Sequence, residues 1–194
     1  MNIGIFSGSF NPIHIGHLIL ANYIVEFTEI EEVWFLVSPQ NPLKSEDELS
    51  DEHIRLEMTE LALAKYTKLK ASDFEFSMPI PSYTVNTLDA LRNEYPGHDF
   101  TLIIGADNWN VFESWREYDK ILENYKIKVY PRLGHRITIP TKLRDKVEAL
   151  DSPIIEISST FIRDSIYEGK DVRAFLPDDI YDYILNKGLY KKRL

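Results

Sequence analysis

The hydrophobic pattern switches period repeatedly along the chain. Residues 2–6 make a short apolar run of β-branched and aromatic side chains that stops at the turn Ser7-Gly8-Ser9. From residue 14 to residue 27 the period becomes helical, with Leu18, Ala21, Ile24 and Val25 on one face. Residues 33–37 are again a continuous apolar run, held between Glu31-Glu32 and Pro39 as a buried strand would be. Ser50, Asp51 and Glu52 open a helix with acids at the positive end of its dipole. That helix runs to about residue 65 and turns Ile54, Met58, Leu61 and Ala62 inward.

A weaker strand is expected over residues 69–74, followed by a loop containing Pro79 and Pro81. Residues 84–95 are helical and stop at Pro96-Gly97, and residues 100–104 form the clearest strand. Helical segments over 108–112 and 115–124 precede strands at 126–130 and 153–157, with a loop over 134–145 between those two strands. Helices over 159–168 and 178–186 close the pattern, and no internal repeat is visible. Strands alternating with helices in this way predict right-handed βαβ units and a parallel sheet covered on both faces. Ligands of such sheets bind beyond the carboxyl ends of the strands. That rule singles out the turns after Phe6, Val37, Ile104 and Ile157.

Composition narrows the class. With 194 residues, 44% of them hydrophobic, the chain is long enough for one domain with a sizeable core, expected to span 1–194. The formal net charge of −9 disfavours non-specific binding to nucleic acid or to an anionic membrane. Any polyanion must therefore be gripped by a local group of cations. There is no cysteine, which excludes disulfides, thiolate nucleophiles and Cys-based zinc sites and agrees with a reducing compartment. The first basic side chain is Lys44 and no long apolar run occurs, so no basic leader and no membrane span is expected, and the cytoplasm is the expected location.

Two strand-to-helix junctions could carry chemistry. The first reads Gly8-Ser9-Phe10-Asn11-Pro12-Ile13-His14-Ile15-Gly16-His17, which is neither G-x-G-x-x-G nor a Walker A loop. Gly8 permits a tight turn, Pro12 stiffens the loop, and His14 and His17 project from one side of the first helical turn. Gly16 leaves room for a flat group, and the helix end already favours an anion. A histidine pair at a helix start is by itself more often a solvated surface feature. The flanking glycines and proline after the first strand reverse that reading. The second junction, Ile157-Ser158-Ser159-Thr160-Phe161-Ile162-Arg163, offers hydroxyls at a helix start and a guanidinium one turn further on. Alone it is an ordinary cap.

Taken together, the two junctions resemble the signatures of the nucleotidyltransferase superfamily, which includes the adenylyltransferases of NAD and coenzyme A synthesis. The run His14-Ile15-Gly16-His17 also spells the motif of class I aminoacyl-tRNA synthetases, but those chains are much longer and carry a lysine-rich second motif missing here. Three further stretches resemble the bacterial nicotinate-nucleotide adenylyltransferase family: Pro81-Ser82-Tyr83-Thr84 with Thr87-Leu88; Gly105-Ala106-Asp107-Asn108 with Phe112, Trp115 and Ile121-Leu122; and Leu176-Pro177-Asp178 with Gly188-Leu189-Tyr190. One departure stands out: a second loop that reads Pro-Pro-His-Lys in the family is Asn41-Pro42-Leu43-Lys44 here.

The resemblance implies a Rossmann-like doubly wound α/β parallel sheet with helices on both faces and a short C-terminal helical extension. It implies adenylyl transfer from ATP to nicotinate mononucleotide, with the amide mononucleotide as the alternative acceptor and a non-catalytic nucleotide-binding module as a reading from another class. His14, His17, Lys44 and Arg163 would form the phosphate clamp. Gly8, Ser9, Phe10, Gly16, Gly105, Asp107, Ile157, Ser158, Ser159 and Thr160 would complete the ATP site. Lys44, Tyr83, Thr84, Trp115 and Arg116 would hold the mononucleotide, with Trp115 stacking on its pyridine ring. Mg²⁺ would be carried mainly by substrate phosphates, with no protein metal cage. Homo-oligomerisation stays open.

Overall fold

Ile3 and Ile5 point to one face of the first strand, and Phe6 to the other, so both faces of that strand need covering. In the computed structural model, which describes residues 1–39 and 49–191, both are covered. The strand, β1 (Asn2–Gly8), lies inside a six-stranded sheet with β2 (Glu32–Val37), β3 (Leu69–Ser72), β4 (Asp99–Gly105), β5 (Lys126–Tyr130) and β6 (Val147–Ala149). The order is β3-β2-β1-β4-β5-β6, and every pairing is parallel.

Helices α1 (Ile15–Phe27), α2 (Glu52–Leu63), α6 (Ser159–Tyr167) and α7 (Asp178–Lys187) pack on the face that holds Phe6, Phe35 and Ile103. Helices α3 (Thr84–Glu94) and α5 (Tyr118–Asn124), with the short α4 (Ala106–Trp109), cover the face that holds Ile3, Ile5 and Leu102. The strand order reverses between β1 and β4, so the crevice of this doubly wound sheet opens at their carboxyl ends. No helix among the described residues is long and apolar enough to cross a membrane.

Three local expectations are corrected. Residues 153–157 form no strand; the sixth strand is Val147–Ala149, within a stretch that carried no element in the pattern. The chain from 151 to 158 is irregular, and Ile155 and Ile157 line a pocket instead of a sheet. Pro153 lacks the N–H a ladder needs, and a β-branched run signals extended backbone without specifying a partner. The helix expected over 115–124 begins only at Tyr118, because Glu117 takes a left-handed conformation with φ 52°. Finally, α2 buries Arg55, Met58, Thr59, Ala62 and Leu63, whereas Leu61 remains 37% exposed.

Candidate active site

β1 hands the chain to the loop that precedes α1. A Cβ at Gly8 would meet Cζ of Phe10 at 2.9 Å, so glycine is what lets that ring fold back over the strand end. Phe10 is buried, in a left-handed conformation, and packs edge-on against Phe6 and His17. Its side chain packs inside the loop. Asn11 is also buried and is held from three remote segments. Its Oδ1 accepts from the Ser50 N–H at 3.3 Å and from the Tyr190 hydroxyl at 2.8 Å, and its carbonyl accepts from Nη1 of Arg163 at 2.9 Å.

His14 caps α1 from an extended conformation and is 5% exposed. Its ring lies flat on that of His17, centroids 3.7 Å apart. Gly16 makes this possible: a Cβ there would come within 3.1 Å of the His14 Nδ1. Burial, helped by the charge of Arg132, pushes the His14 pKa down to about 3, so His14 is neutral at physiological pH. His17 is half-buried, and its Nδ1 accepts the His14 backbone N–H at 3.2 Å.

Across the crevice, Ser158 caps α6 by accepting from the Phe161 N–H, and Ser159 donates to the Pro12 carbonyl at 2.9 Å. Arg163 is anchored to the His14 loop through Nη1, while Nη2 reaches Thr160 Oγ1 at 3.4 Å. The two predicted junctions therefore touch. A pocket between them is lined by His14, Gly16, His17, Arg132, Ile155 and Ile157, among others.

The other half of the crevice lies over α3. Tyr83 is the N-cap of α3 and Thr84 its first residue, and among the described residues no side chain caps this positive helix end. Arg116 is exposed and lays its guanidinium over the Tyr83 ring at 4.6 Å. Trp115 is half-buried and leans on buried Phe112 at 5.2 Å. β4 ends at Gly105, where a Cβ would collide with the Asp107 carboxylate, so this glycine lets Asp107 turn back over the strand end. Lys44 lies outside the described residues.

Residues 5–165 match the model of the cytidylyltransferase-like family. A Flavobacterium johnsoniae protein named "Probable nicotinate-nucleotide adenylyltransferase" is 48% identical over 99% of this chain and 100% of its own length. A Bacteroides fragilis protein of the same name is 51% identical over 95% of this chain and 91% of its own. The chain belongs to the cytidylyltransferase-like family, among its nicotinate-nucleotide adenylyltransferases. The fold agrees: a Plasmodium falciparum nicotinic acid mononucleotide adenylyltransferase solved with NaAD superposes with a TM-score of 0.80 at 22% identity, covering 97% of each chain.

In this adenylyltransferase several residues outside the sequence motifs build the site. Arg55 is fully buried and donates to the carbonyls of Ser9, Ser38, Pro39 and Ser50, tying together the ends of β1 and β2 and the start of α2. Arg132 lies over the Tyr130 ring and beside Asp107, 3.9 Å from Nε to Oδ1. Tyr190, near the end of the described chain, holds Asn11. Among the described residues, six buried side-chain polar atoms lack a hydrogen-bond partner. Four of them belong to Ser9, His14, Asp107 and Arg132, the loops at the ends of β1, β4 and β5. Such atoms mark a place where a polar ligand completes the network. Only one carboxylate, Asp107, is among them, and the described residues hold no cluster of three or more metal-ligating side chains.

Proposed function

We infer that this chain transfers the adenylyl group of ATP to nicotinate mononucleotide, giving nicotinate adenine dinucleotide and pyrophosphate in NAD biosynthesis. The observation that carries this reading is identity of 48% to 51% with nicotinate-nucleotide adenylyltransferases over nearly the whole length of both partners. The crevice geometry supplies a physical route.

The 5′-phosphate of the mononucleotide attacks the α-phosphorus of ATP in line; one P–O bond forms as the bond to the pyrophosphate oxygen breaks. A phosphate monoester with a second pKa near ~6 is already largely ionised at neutral pH, so no general base is required. The protein's part is positioning and charge stabilisation. His17, Arg163 and the amino ends of α1 and α6 would receive the phosphates, with Arg132 beside them. Neutral His14 would act as a hydrogen-bonding group and not as a cation. Lys44 would add a further charge from the second loop. Ser9, Gly16, Gly105, Asp107, Ile157, Ser158, Ser159 and Thr160 would frame the adenosine, and Phe10 would act from behind the loop. Tyr83, Thr84, Trp115 and Arg116 would take the nicotinate ring and its carboxylate. Asp107 at the crevice, with no cluster of three metal-ligating side chains among the described residues, fits Mg²⁺ that would enter on the phosphates and neutralise their charge. The substrates are nucleotides, with no nucleic acid or membrane partner, and we assign the enzyme to the cytoplasm, where ATP is available.

Pyrophosphate release from ATP, measured with nicotinate mononucleotide and with its amide, tests the reading. Preferential release with the acid supports it, and preferential release with the amide replaces it with the alternative acceptor.

A further inference from the structure

Glu75 lies in the single helical turn that follows β3 (Phe74–Ser77) and is 3% exposed. Its partners among the described residues are hydroxyls. Ser82 Oγ donates to Oε2 at 2.9 Å and Thr87 Oγ1 to Oε1 at 3.0 Å, and the hydroxyls of Ser7 and Ser38 also bear on it. A carboxylate offers about four lone-pair sites and no donor, so four hydroxyls saturate it only if all of them point inward. Burying a carboxyl costs stability unless its oxygens are hydrogen-bonded. Burial accordingly pushes the Glu75 pKa up, against the pull of the hydroxyls. Burial alone does not explain a carboxyl here.

The position of the four donors does. Ser7 stands at the carboxyl end of β1 and is exposed, and Ser38 directly follows β2. Ser82 and Thr87 bracket Tyr83 and Thr84, the residues at the uncapped amino end of α3. One side chain thus ties the turn that opens α3 to two strand ends of the crevice.

We propose that Glu75 is a positioning residue for the mononucleotide half of the site, holding Tyr83 and the amino end of α3 in register with the ends of β1 and β2. The proposal rests on the reading that this helix end receives nicotinate mononucleotide. Glu75 does not itself touch substrate. In Glu75→Gln, one acceptor oxygen becomes an NH₂ donor, so the hydroxyls facing it must reverse. The turn loosens without a cavity being made.

The test is steady-state kinetics of wild type, Glu75→Gln and Glu75→Ala, varying each substrate at saturating concentration of the other, with melting temperatures alongside. Glu75→Gln should raise KM for nicotinate mononucleotide about tenfold, as loss of one or two buried hydrogen bonds does. It should leave KM for ATP within about twofold, and any fall in melting temperature should match the loss of one or two hydrogen bonds. Glu75→Ala should show the same KM split more strongly if it folds, and Glu75→Gln decides the matter if it does not. Equal changes in both KM values, or no change in either while wild type turns over nicotinate mononucleotide, overturn the role of Glu75 alone. A wild type that does not use nicotinate mononucleotide contradicts the substrate reading itself, and the proposal falls with it.

Discussion

The rings of His14 and His17 stack with centroids 3.7 Å apart and planes 22° from parallel, and the His14 backbone N–H donates to His17 Nδ1 at 3.2 Å. With Nδ1 accepting, a neutral His17 ring carries its proton on Nε2, the nitrogen that would donate to phosphate in the proposed reaction. His17→Ala should therefore lower turnover by roughly 10²–10³, the usual loss when one donor to developing charge is deleted. It also removes the acceptor for the first orphan N–H of α1, a loss of about 1 kcal/mol of stability. Parallel kcat and melting measurements check this, and a variant with near-native turnover would remove His17 from the phosphate site.

His14 sets a pH dependence of stability. Its folded pKa is depressed from 6.5 to about 3, mainly by burial. The unfolded chain thus binds a proton between these values that the folded chain does not. The stabilisation is fully present above pH 6.5 and is lost as pH falls toward 3, with a limiting slope of about 1.4 kcal/mol per pH unit. Glu75, whose pKa is raised, contributes with the opposite sign, so the clean observable is a difference. Denaturation of wild type and His14→Asn from pH 7 down to 4 should show the shallower acid loss in the variant. Identical slopes would mean His14 titrates normally.

Arg163 holds the Asn11 carbonyl through Nη1, and in the proposed reaction the rest of its fork would meet phosphate. A lysine presents one compact charge and cannot do both. Arg163→Lys should lose about tenfold or more in kcat/KM. Full activity in that variant would show that charge alone suffices.

Trp115 and Arg116 should separate affinity from selectivity. An aromatic face accepts either pyridine ring, so Trp115→Ala should weaken the acid and amide mononucleotides alike. The Arg116 guanidinium, stacked on Tyr83 beside the amino end of α3, favours a carboxylate. Arg116→Ala should narrow the acid-to-amide ratio of kcat/KM by about tenfold. An unchanged ratio leaves the backbone N–H groups of α3 as the discriminating donors.

The parts legible in the sequence are those set by local periodicity. The alternation of short apolar runs with amphipathic segments is enough to place His14 after β1 and Arg163 in α6, and the chain does bring the two junctions into contact. Pairing is less legible. Val147–Ala149 is three residues long with two exposed positions, so it has almost no apolar signature, whereas Ile154, Ile155 and Ile157 mimic a strand while lying beyond the sheet. Arg55 is the hardest case. A charged side chain in an amphipathic helix reads as surface, and its burial depends on carbonyls from Ser9, Ser38 and Pro39, segments distant in sequence. Tyr190 is hidden for the same reason, since its partner Asn11 is at the other end of the chain.

The most direct test of the central claim is kcat/KM for pyrophosphate release from ATP, measured on the full chain with nicotinate mononucleotide and with nicotinamide mononucleotide under identical conditions. The uncapped amino end of α3 and the Arg116 guanidinium predict a preference for the acid of about tenfold or more. Equal use of the two, a preference for the amide, or no release with either would contradict it.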